Sequence, residues 1–387
     1  MKQASKKLKI AFFSEDFSRQ AKGTALVVQQ LAEQFISNFS DRLEVTLIRK
    51  SGPCNHPIAR RIRNVEIRVY ETPIFATLIS YFLFFITEKE KFDAIIFNRN
   101  IYPGFWLLNS KKFILLLHDA PENPVYKIKM SLDIKLIDLF LKYVGKYFLD
   151  AVIAVSKSAR EEIIHYYCID PNKVFSIYNG VAENFRQFSQ IEKENKKEYL
   201  KNKYNLATPY LLDVSRLDPH KNIEILIDAF ILLKKNYKIP HSLVIIGGRH
   251  LFSYTAMIEK KIKESGFEKE IFIAPYIEEE DMPAVYNLAD VLAYPSLLEG
   301  FGLPLVEAMR CGVPVIGSDI PVMAEITNGA AVLANPRDAR QLSEKIFEVL
   351  NDSNLRQRLI IRGLERSRIF SWPNAARELF EIVCKKD

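Results

Sequence analysis

The chain has 387 residues, of which 48% are hydrophobic and 26% charged, with only 14 glycines and 18 prolines. This composition excludes a fibrous or disordered protein, and a chain of this length is expected to form two domains, because single hydrophobic cores stop growing at a smaller size. The formal net charge of +7 permits nucleic acid, anionic lipid or anionic small molecules as partners, since a long-range field does not distinguish among them.

The cysteines and the N-terminal segment favour a cytoplasmic location. The 4 cysteines are scattered and contain no C-x-x-C pair, which argues against a zinc site and against a disulfide framework. Residues Met1 to Lys7 run straight into a short apolar strand, without the apolar region and cleavage site of a signal peptide. We therefore expect the protein in a reducing cytoplasm.

Apolar, β-branched runs alternate with amphipathic stretches through the first half of the chain. A strand at Lys9–Phe13 is followed by a helical pattern near Thr24–Ile36 and by a strand at Leu43–Ile48. This alternation predicts βα units and a parallel sheet. Further strands of the same sheet are predicted at residues 94–97, 113–117, 151–155 and 174–178.

A charge-rich stretch separates this series from a second one. We interpret the segment from Phe185 to Ala207 as the connection between two domains, with a short helix inside it. Ligands of open α/β sheets bind beyond the carboxyl ends of the strands, so two facing sheets would place the site in the cleft between them. Strands of the second sheet are predicted at residues 210–214, 243–246, 271–273, 291–294 and 313–316.

The segment from Asp290 to Met309 reads as strand, loop and helix. Gly300 and Gly302 permit a tight turn and a close approach of the backbone to a ligand, and Pro304 suits the first helical position. Glu299 precedes the turn and Glu307 is expected in the first helical turn, so both carboxylates can face one ligand and bind sugar hydroxyls. The alternative is that Glu299 caps the turn and Glu307 only favours a helix N-terminus.

A second polar segment follows the first strand of the second domain and contains two cations five residues apart. Arg216 and Lys221 could neutralise the negative charge that develops on a departing nucleoside diphosphate. No D-x-D metal motif occurs in the chain, so we expect no metal in this role. The alternative is a solvated basic turn.

These two segments resemble the retaining glycosyltransferases of family 4. Their hallmark is a pair of glutamates separated by seven residues, around E-G-F-G-x-P-x-x-E-A, and a V-G-R-L-x-x-x-K-N segment in which Ser215 here replaces the glycine. The resemblance implies an α/β GT-B fold, in which two Rossmann-like parallel-sheet domains face a central cleft. It implies an acceptor-side domain over residues 1–190, completed by a C-terminal helix at about 370–387, and a domain that binds the nucleotide-sugar donor over residues 205–369.

The resemblance also assigns roles to individual residues. Arg216 and Lys221 would bind the diphosphate, Glu299 would contact the donor-sugar hydroxyls, and Glu307 would hold the ribose. The sugar would also be bound by backbone N–H groups of Phe301, Gly302 and Leu303, and the base would be held mainly by backbone groups near Tyr276 and Ile277.

In the first domain the resemblance indicates two further positions. His118 ends the strand at 113–117 and corresponds to a histidine that lies near the reacting sugar in the family. Gly23 remains from a pair of glycines beside the donor phosphates, with Lys22 in the place of the other. We expect His118, Arg216, Lys221 and Glu299 to be the catalytic set.

The expected activity is transfer of a hexose, of the mannose, glucose or N-acetylglucosamine type, with retention of configuration. The donor would be a GDP- or UDP-sugar, the acceptor a glycan, a polysaccharide or a lipid-linked molecule, and no cofactor, metal or nucleic acid would take part. Two alternatives stay open: a nucleotide-sugar 2-epimerase of the same fold, and a catalytically inert protein that binds nucleotide sugars.

An apolar run from Ile74 to Ile86 is too short to span a bilayer, which takes about 20 residues. It predicts either a buried helix or an interfacial one. Lysines also occur at intervals in a largely apolar helical stretch, which suggests peripheral contact with the inner face of the cytoplasmic membrane. The alternative is a helix packed on the sheet with its lysines in water; the lysines are Lys127, Lys129, Lys135, Lys142 and Lys146.

Overall fold

The computed structural model describes residues 7–14, 24–50, 62–67, 83, 86–88, 90–98, 108–120, 132–249 and 251–385. The chain forms two compact units. The first comprises Met1–Gly180 together with Ser371–Asp387, and the second comprises Val181–Phe370. The charge-rich stretch interpreted as a connection therefore lies inside the second unit, where most of it forms a helix of 15 residues.

The first unit contains a seven-stranded sheet in the order β3-β2-β1-β4-β5-β6-β7. All pairings between its described strands are parallel. The central strands are continuous apolar runs, as expected when both faces of a parallel sheet are covered. The strands are β1 (Leu8–Ser14), β2 (Leu43–Lys50), β3 (Arg63–Ile67), β4 (Ala94–Phe97), β5 (Phe113–Leu117), β6 (Ala151–Ala154) and β7 (Val174–Ser176).

The described helices of the first unit are α1 (Thr24–Phe39), α2 (Leu132–Tyr143), α3 (Lys157–Tyr167) and, after the second unit, α12 (Trp372–Cys384). Serines start two of them: Ser156 and Ser371 each accept a hydrogen bond from the backbone N–H three residues later. Short 3₁₀ helices lie at Gly145–Phe148 and Pro171–Lys173.

The second unit contains a six-stranded sheet in the order β10-β9-β8-β11-β12-β13, again parallel in every described pairing. Its strands are β8 (Tyr210–Val214), β9 (Ser242–Ile246), β10 (Ile271–Ile273), β11 (Val291–Tyr294), β12 (Val315–Ser318) and β13 (Val332–Ala334).

The helices of the second unit cover both faces of this sheet and alternate with its strands. Four of them contribute buried side chains to the apolar core around β8 and β11, namely those that begin at Ile223, Phe252, Ala339 and Ser353. The helices of the unit are α4 (Gln190–Tyr204), α5 (Ile223–Tyr237), α6 (Phe252–Glu264), α7 (Met282–Leu288), α8 (Leu303–Arg310), α9 (Pro321–Thr327), α10 (Ala339–Asn351) and α11 (Ser353–Ser367), with 3₁₀ helices at Pro219–Lys221 and Glu279–Asp281.

The two strands that the sequence pattern does not predict, β3 and β13, both lie at a sheet edge. β3 pairs only with β2 and β13 only with β12 among the described strands. Because an edge strand has one neighbour, β3 can carry the polar sequence R-N-V-E-I, and β13 needs only three residues. The strand expected at 313–316 begins instead at Val315 and extends to Ser318.

The C-terminal helix α12 belongs to the first unit. Its apolar side, including Trp372, Leu379 and Phe380, joins the core formed by α1 and the first sheet. Phe380 stacks on Phe39 with a centroid distance of 4.3 Å. The turn at Gly180 packs against the start of α12, because a Cβ on Gly180 would lie 2.2 Å from the Trp372 backbone nitrogen.

Within the described residues, no helix is long and apolar enough to cross a membrane. Of the apolar run Ile74–Ile86, only Leu83 and Ile86 are described, and both are exposed. Lys127 and Lys129 of the lysine series lie outside the described residues.

The packing of α12 can be tested at Phe380, whose side chain is 9% exposed and also meets Phe35 edge-on. Phe380→Ala removes both ring contacts and leaves a cavity, so the free energy of unfolding should fall by about 3–5 kcal/mol. Urea denaturation followed by circular dichroism measures this loss. The exposed Ile361→Ala is the control and should change stability by less than about 0.5 kcal/mol; equal effects of the two variants would contradict the packing.

Candidate functional site

The candidate site lies at the carboxyl ends of β8 and β11, which are neighbours in the second sheet. The chain leaves β8 toward β9 and β10 on one side, then returns to form β11 on the other side. This is the topological switch point of the sheet, where loops diverge and open α/β folds bind ligands. The segments 215–222 and 295–302 follow these two strands, so the fold brings together the two motifs that the sequence singled out.

Three side chains form a hydrogen-bonded cluster at this point. Lys221 Nζ lies 2.5 Å from Glu299 Oε1 and 3.2 Å from the Tyr294 hydroxyl oxygen. The Tyr294 hydroxyl donates to the same Glu299 Oε1 at 2.6 Å. The Lys221 and Glu299 side chains are only 13% and 10% exposed, and the Tyr294 residue 2%. Lys221 and Glu299, two members of the predicted catalytic set, are therefore in direct contact.

The cluster keeps Glu299 ionised. Burial acts to raise the pKa of the Glu299 carboxyl, but the positive charge and hydrogen bond of Lys221, with further hydrogen bonds from Tyr294 and Ser296, outweigh it. The pKa of Glu299 therefore lies below its ordinary value. For Tyr294, burial and the neighbouring Glu299 charge raise the pKa well above 10.0, so its hydroxyl remains a donor.

Backbone and amide contacts hold the two loops against each other. The His220 carbonyl accepts hydrogen bonds from the Leu297 N–H at 2.7 Å and from Ser296 Oγ at 2.9 Å. Asn222, at φ 61°, donates its side-chain amide to the carbonyls of Pro295 at 3.0 Å and Pro336 at 2.6 Å. An asparagine suits this position because it tolerates the left-handed conformation. These bonds fix Lys221, which lies between His220 and Asn222.

A buried carboxylate lies within electrostatic range of the cluster. Asp213 is fully buried in β8, and the Ser215 hydroxyl donates to its Oδ2 at 2.6 Å. Burial raises the pKa of Asp213 to about 7; the hydrogen bond from Ser215 and the charge of Lys221 oppose this rise, and the charge of Glu299 adds to it. Ser215, which replaces the glycine of the family pattern, thus provides the hydrogen bond that Asp213 Oδ2 accepts.

Arg216 is held by the backbone on both sides of it. The Ser215 N–H donates to the Ile246 carbonyl at 2.9 Å, and the Leu217 N–H donates to the Gly248 carbonyl at 3.1 Å. The side chain of Arg216 is 54% exposed and pairs with Asp218 at 3.0 Å. A guanidinium on a fixed backbone beside solvent is well placed to exchange this carboxylate for an anionic ligand.

The start of α8 requires a glycine. Gly302 caps the helix at φ 86°, a conformation that side chains with a Cβ rarely adopt. The N–H of Leu303, the first helical residue, has no acceptor within the helix, as at every helix start. Phe301 packs edge-on against Phe370 and is buried, so only its backbone is available to a ligand. Pro304 is the second helical residue and not, as predicted, the first.

Glu307 is the fifth residue of α8, just past the first turn in which it was expected, because the helix begins at Leu303, one residue before the predicted start at Pro304. The hydroxyl of the buried Tyr286, in α7, donates to Glu307 Oε2 at 2.6 Å, and the Glu307 charge contributes to the raised pKa of Tyr294. Burial and the Glu279 charge raise the pKa of Glu307 to about 7, against the hydrogen bond from Tyr286.

Tyr276 and Ile277 follow β10, two strands away from β8 in the sheet. The Tyr276 ring is exposed, whereas the Ile277 side chain is buried. A base at this edge would therefore meet the backbone of Ile277 and the face of an aromatic ring. The predicted roles of both residues in binding the base stay predictions.

The remaining candidate positions lie in the first unit. His118 directly follows β5, at its carboxyl end, and is half-buried beside the buried Asp119. The sequence predicts this position of His118 at the end of the strand. The role of His118 near the donor sugar stays a prediction. Gly23 lies outside the described residues. Among the residues that the structure does describe, no group of three His, Cys, Asp or Glu side chains could hold a metal ion.

Sequence reasoning missed three residues of the site: Tyr294, Tyr286 and Asp213. Two of them end or nearly end a predicted strand, Asp213 in β8 and Tyr294 in β11. A polar group at the carboxyl end of a buried parallel strand is a signal that could have identified both. No comparable signal marks Tyr286, since it faces Glu307 only through the packing of α7 against α8.

Two family models together cover most of the chain. The model described as "Glycosyl transferases group 1" matches residues 191–366, and the model described as "Glycosyltransferase Family 4" matches residues 21–185. The chain belongs to family 4 of the glycosyltransferases. The family expected from the two glutamates is thereby confirmed, and transfer is favoured over epimerisation.

The chain is also similar in sequence to individual proteins that are named mannosyltransferases. The chain is 31% identical over 239 residues to the serotype-specific mannosyltransferase WbdA of Escherichia coli, across 60% of this chain and 28% of WbdA. It is 31% identical over 230 residues to O-antigen chain mannosyltransferase B of Escherichia coli, across 59% of this chain and 58% of that protein. The match thus spans less than two thirds of either relative.

The solved structure of sucrose-phosphate synthase from Thermosynechococcus elongatus has the same fold. It superposes with a TM-score of 0.76 at 21% identity and covers 97% of this chain and 98% of that one. The predicted fold class, GT-B with two parallel-sheet α/β domains, is confirmed.

The dependence of Arg216 on the loop after β9 can be tested with two adjacent glycines. A Cβ on Gly247 would lie 1.9 Å from the Ser215 carbonyl oxygen, whereas a Cβ on Gly248 would meet nothing within 4 Å. Gly247→Ala should displace the backbone before Arg216 and lower kcat/KM by about 100-fold, since a shift of about 1 Å can have this effect.

Gly248→Ala is the matched control and should retain nearly full activity. Donor-dependent turnover of both variants, with circular dichroism to verify the fold, measures the difference. Equal activity of the two variants would contradict the dependence of the Arg216 loop on Gly247.

Proposed function

We propose that this glycosyltransferase is a retaining mannosyltransferase that moves mannose from GDP-mannose to a glycan or lipid-linked acceptor. The observation that carries the proposal is the contact of Lys221 with Glu299 at the switch point of the second sheet, with Glu307 on the helix that follows. The mannose donor is supported by relatives that are named mannosyltransferases. Those relatives also support a polysaccharide as the acceptor.

In the proposed reaction the bond between the sugar and the β-phosphate breaks, and the electron pair stays on the phosphate oxygen. Lys221 and Arg216 neutralise the charge that develops there. The acceptor hydroxyl attacks from the face that the diphosphate leaves and gives its proton to the departing diphosphate, which yields retention. Glu299 accepts hydrogen bonds from sugar hydroxyls, and Glu307 from the ribose.

Two properties of the carboxylates support displacement without a covalent intermediate on the protein. Glu299 Oε1 accepts hydrogen bonds from Lys221 and from Tyr294, and the bond from Tyr294 does not depend on the position of Lys221. Glu307 is held by Tyr286, and burial keeps its pKa at about 7. Neither is a fully ionised, unengaged nucleophile at neutral pH. The protein would therefore act mainly by placing charge around the diphosphate.

Lys221→Ala tests the proposal. Loss of the cation should reduce mannosyl transfer at least about 100-fold, since single donors to a developing negative charge have effects of this size. The control is Lys345→Ala, a half-exposed lysine of α10 that pairs only at the surface with Glu348 and should retain full turnover.

The donor and the stereochemistry are measured in the same preparation. Thermal stabilisation by GDP-mannose, UDP-glucose and UDP-N-acetylglucosamine ranks the donors, and NMR of the product gives the anomeric configuration. Wild-type turnover in Lys221→Ala would refute the charge scheme. A changed sugar still attached to its nucleotide would identify an epimerase, and donor binding without any product an inert binding protein.

We further propose that the enzyme works in the cytoplasm at an anionic membrane surface. The stretch formed by α2 and the 3₁₀ helix after it exposes an unusual number of large apolar side chains. Lys135 on this stretch is also exposed, and Lys142 lies 4.1 Å from the centroid of the Tyr166 ring. Aromatic and aliphatic side chains with lysines beside them suit the interface of an anionic bilayer. The apolar side chains are Leu136, Leu139, Tyr143, Val144, Tyr147 and Phe148.

Co-sedimentation with vesicles that contain phosphatidylglycerol, at low salt, tests this surface. Wild-type protein should sediment, and the double variant Leu139→Asp with Tyr147→Asp should stay largely in the supernatant, because both side chains are more than half exposed and would lose their apolar contact. The matched control is Ile361→Asp, also more than half exposed but in α11. Wild-type protein that remains in the supernatant would contradict the membrane proposal.

A further inference from the structure

The Tyr294 hydroxyl occupies a place in the cluster that the proposed function leaves unexplained. It donates to Glu299 Oε1 at 2.6 Å and accepts a hydrogen bond from Lys221 Nζ at 3.2 Å. Lys221 Nζ donates to the same Glu299 oxygen at 2.5 Å. One carboxylate oxygen is thus held by two donors, of which only one is a cation.

An anionic diphosphate competes with Glu299 for the charge of Lys221, so the ion pair weakens when the donor is bound. In the proposed reaction the ammonium turns toward the β-phosphate. The Glu299 side chain is only 10% exposed, so water cannot fully replace the lost cation. A nearly buried carboxylate whose partner is withdrawn is costly and tends to move or to take up a proton. A second donor at Glu299 Oε1, the Tyr294 hydroxyl, opposes both the movement and the protonation of the carboxylate.

Tyr294 has the rigidity that this task requires. It is the last residue of β11, a strand that pairs with β8 on one side and with β12 on the other, opposite Gly317. Its ring is almost completely buried, and a tyrosine side chain turns about only two torsions. Lys221 reaches the same oxygen through a flexible four-carbon stem from the end of a 3₁₀ helix. The phenol is a fixed point, and the ammonium can move.

We infer that Tyr294 is a positioning residue, whose hydroxyl holds the Glu299 carboxylate in place for the donor sugar while Lys221 binds the diphosphate. The inference rests on the proposed roles of Lys221 and Glu299. The two parts of the donor are thus bound by different side chains. Tyr294 acts on the sugar through Glu299 and has no part in holding the nucleoside diphosphate.

The hydroxyl also affects the titration of Glu299. The groups that face this carboxylate are Lys221 and His220 from the 3₁₀ helix, Asp213 from β8, Ser296 from the loop and Tyr294 itself. Burial raises the pKa of Glu299, and Lys221, Tyr294 and Ser296 lower it. Removing the phenol leaves the burial unchanged and takes away one lowering interaction, so the pKa of Glu299 rises. The acid limb of kcat/KM, which requires ionised Glu299, therefore moves to higher pH.

The experiment compares Tyr294→Phe with Tyr210→Phe. Tyr210 is an equally buried tyrosine, and it lies at the first residue of β8, the end of the strand remote from the cluster. Its hydroxyl donates to the Val285 carbonyl at 2.6 Å, so both variants lose one buried hydrogen bond. Calorimetry gives the affinities for GDP and for GDP-mannose, and steady-state kinetics gives kcat/KM as a function of pH.

Tyr294→Phe should bind GDP as the wild type does, lose affinity for GDP-mannose, and show a fall of about 10- to 100-fold in kcat/KM, as expected for one hydrogen bond to a charged group. Its acid limb should lie at higher pH than that of the wild type. Tyr210→Phe should leave both the ratio of the two affinities and the acid limb unchanged. Asp213, His220 and Glu307 also titrate but are present in all three proteins, so the comparison uses the lowest acid step of kcat/KM, which belongs to Glu299 because its pKa lies below the ordinary value.

Equal losses of affinity for GDP and GDP-mannose in Tyr294→Phe would overturn the inference, and so would an acid limb that coincides with that of the wild type. Failure of the proposed function looks different. Wild-type protein that binds GDP-mannose without transferring mannose would refute the reaction, while the ratio of the two affinities in Tyr294→Phe would still decide the role of its hydroxyl.

Discussion

The nearly buried ion pair between Lys221 and Glu299 is the interaction on which the candidate site at the carboxyl ends of β8 and β11 depends. Two charges that are only 13% and 10% exposed are costly to hold together unless their geometry is good and further hydrogen bonds compensate them. The structure supplies such bonds from Tyr294, a strand residue. A contact of this kind is a weak source of stability, and its value lies in keeping a cation and a carboxylate ready for a ligand that needs both.

The parallel sheet makes this contact possible, because it brings together residues that are far apart in the chain. Lys221 and Glu299 are separated by 78 positions, but they follow strands that lie side by side in the sheet. The loops are then tied together by bonds that involve no reactive group, from the His220 carbonyl and the Asn222 amide. Asn222 therefore has a structural task beside Lys221, for which we propose a chemical one.

The sequence predicted the central strands and the two charged motifs because each is encoded locally. Buried parallel strands are continuous apolar runs, and the glutamate pair lies within nine residues of one loop and helix. The edge strand β3 escaped prediction because its sequence is largely polar, and β13 because it has only three residues. Tyr286 escaped because its contact with Glu307 depends on how α7 packs on α8. The helix at 190–204 was placed in a connection because its surface is highly charged, although Leu200 and Tyr204 are buried in the second unit.

The two glutamates of the motif show how the same side chain acquires different properties from its neighbours. Both are partly buried, and burial acts to raise the pKa of both. Lys221 Nζ lies 2.5 Å from Glu299, and the pKa of Glu299 falls below its ordinary value. Glu307 accepts a hydrogen bond from the uncharged Tyr286 hydroxyl, and its pKa is raised to about 7. Pairs of titratable groups whose pKa values are driven apart by their surroundings commonly divide the tasks of an active site. Spacing in the sequence locates such a pair, but only the partners that the fold brings in decide which member carries the charge.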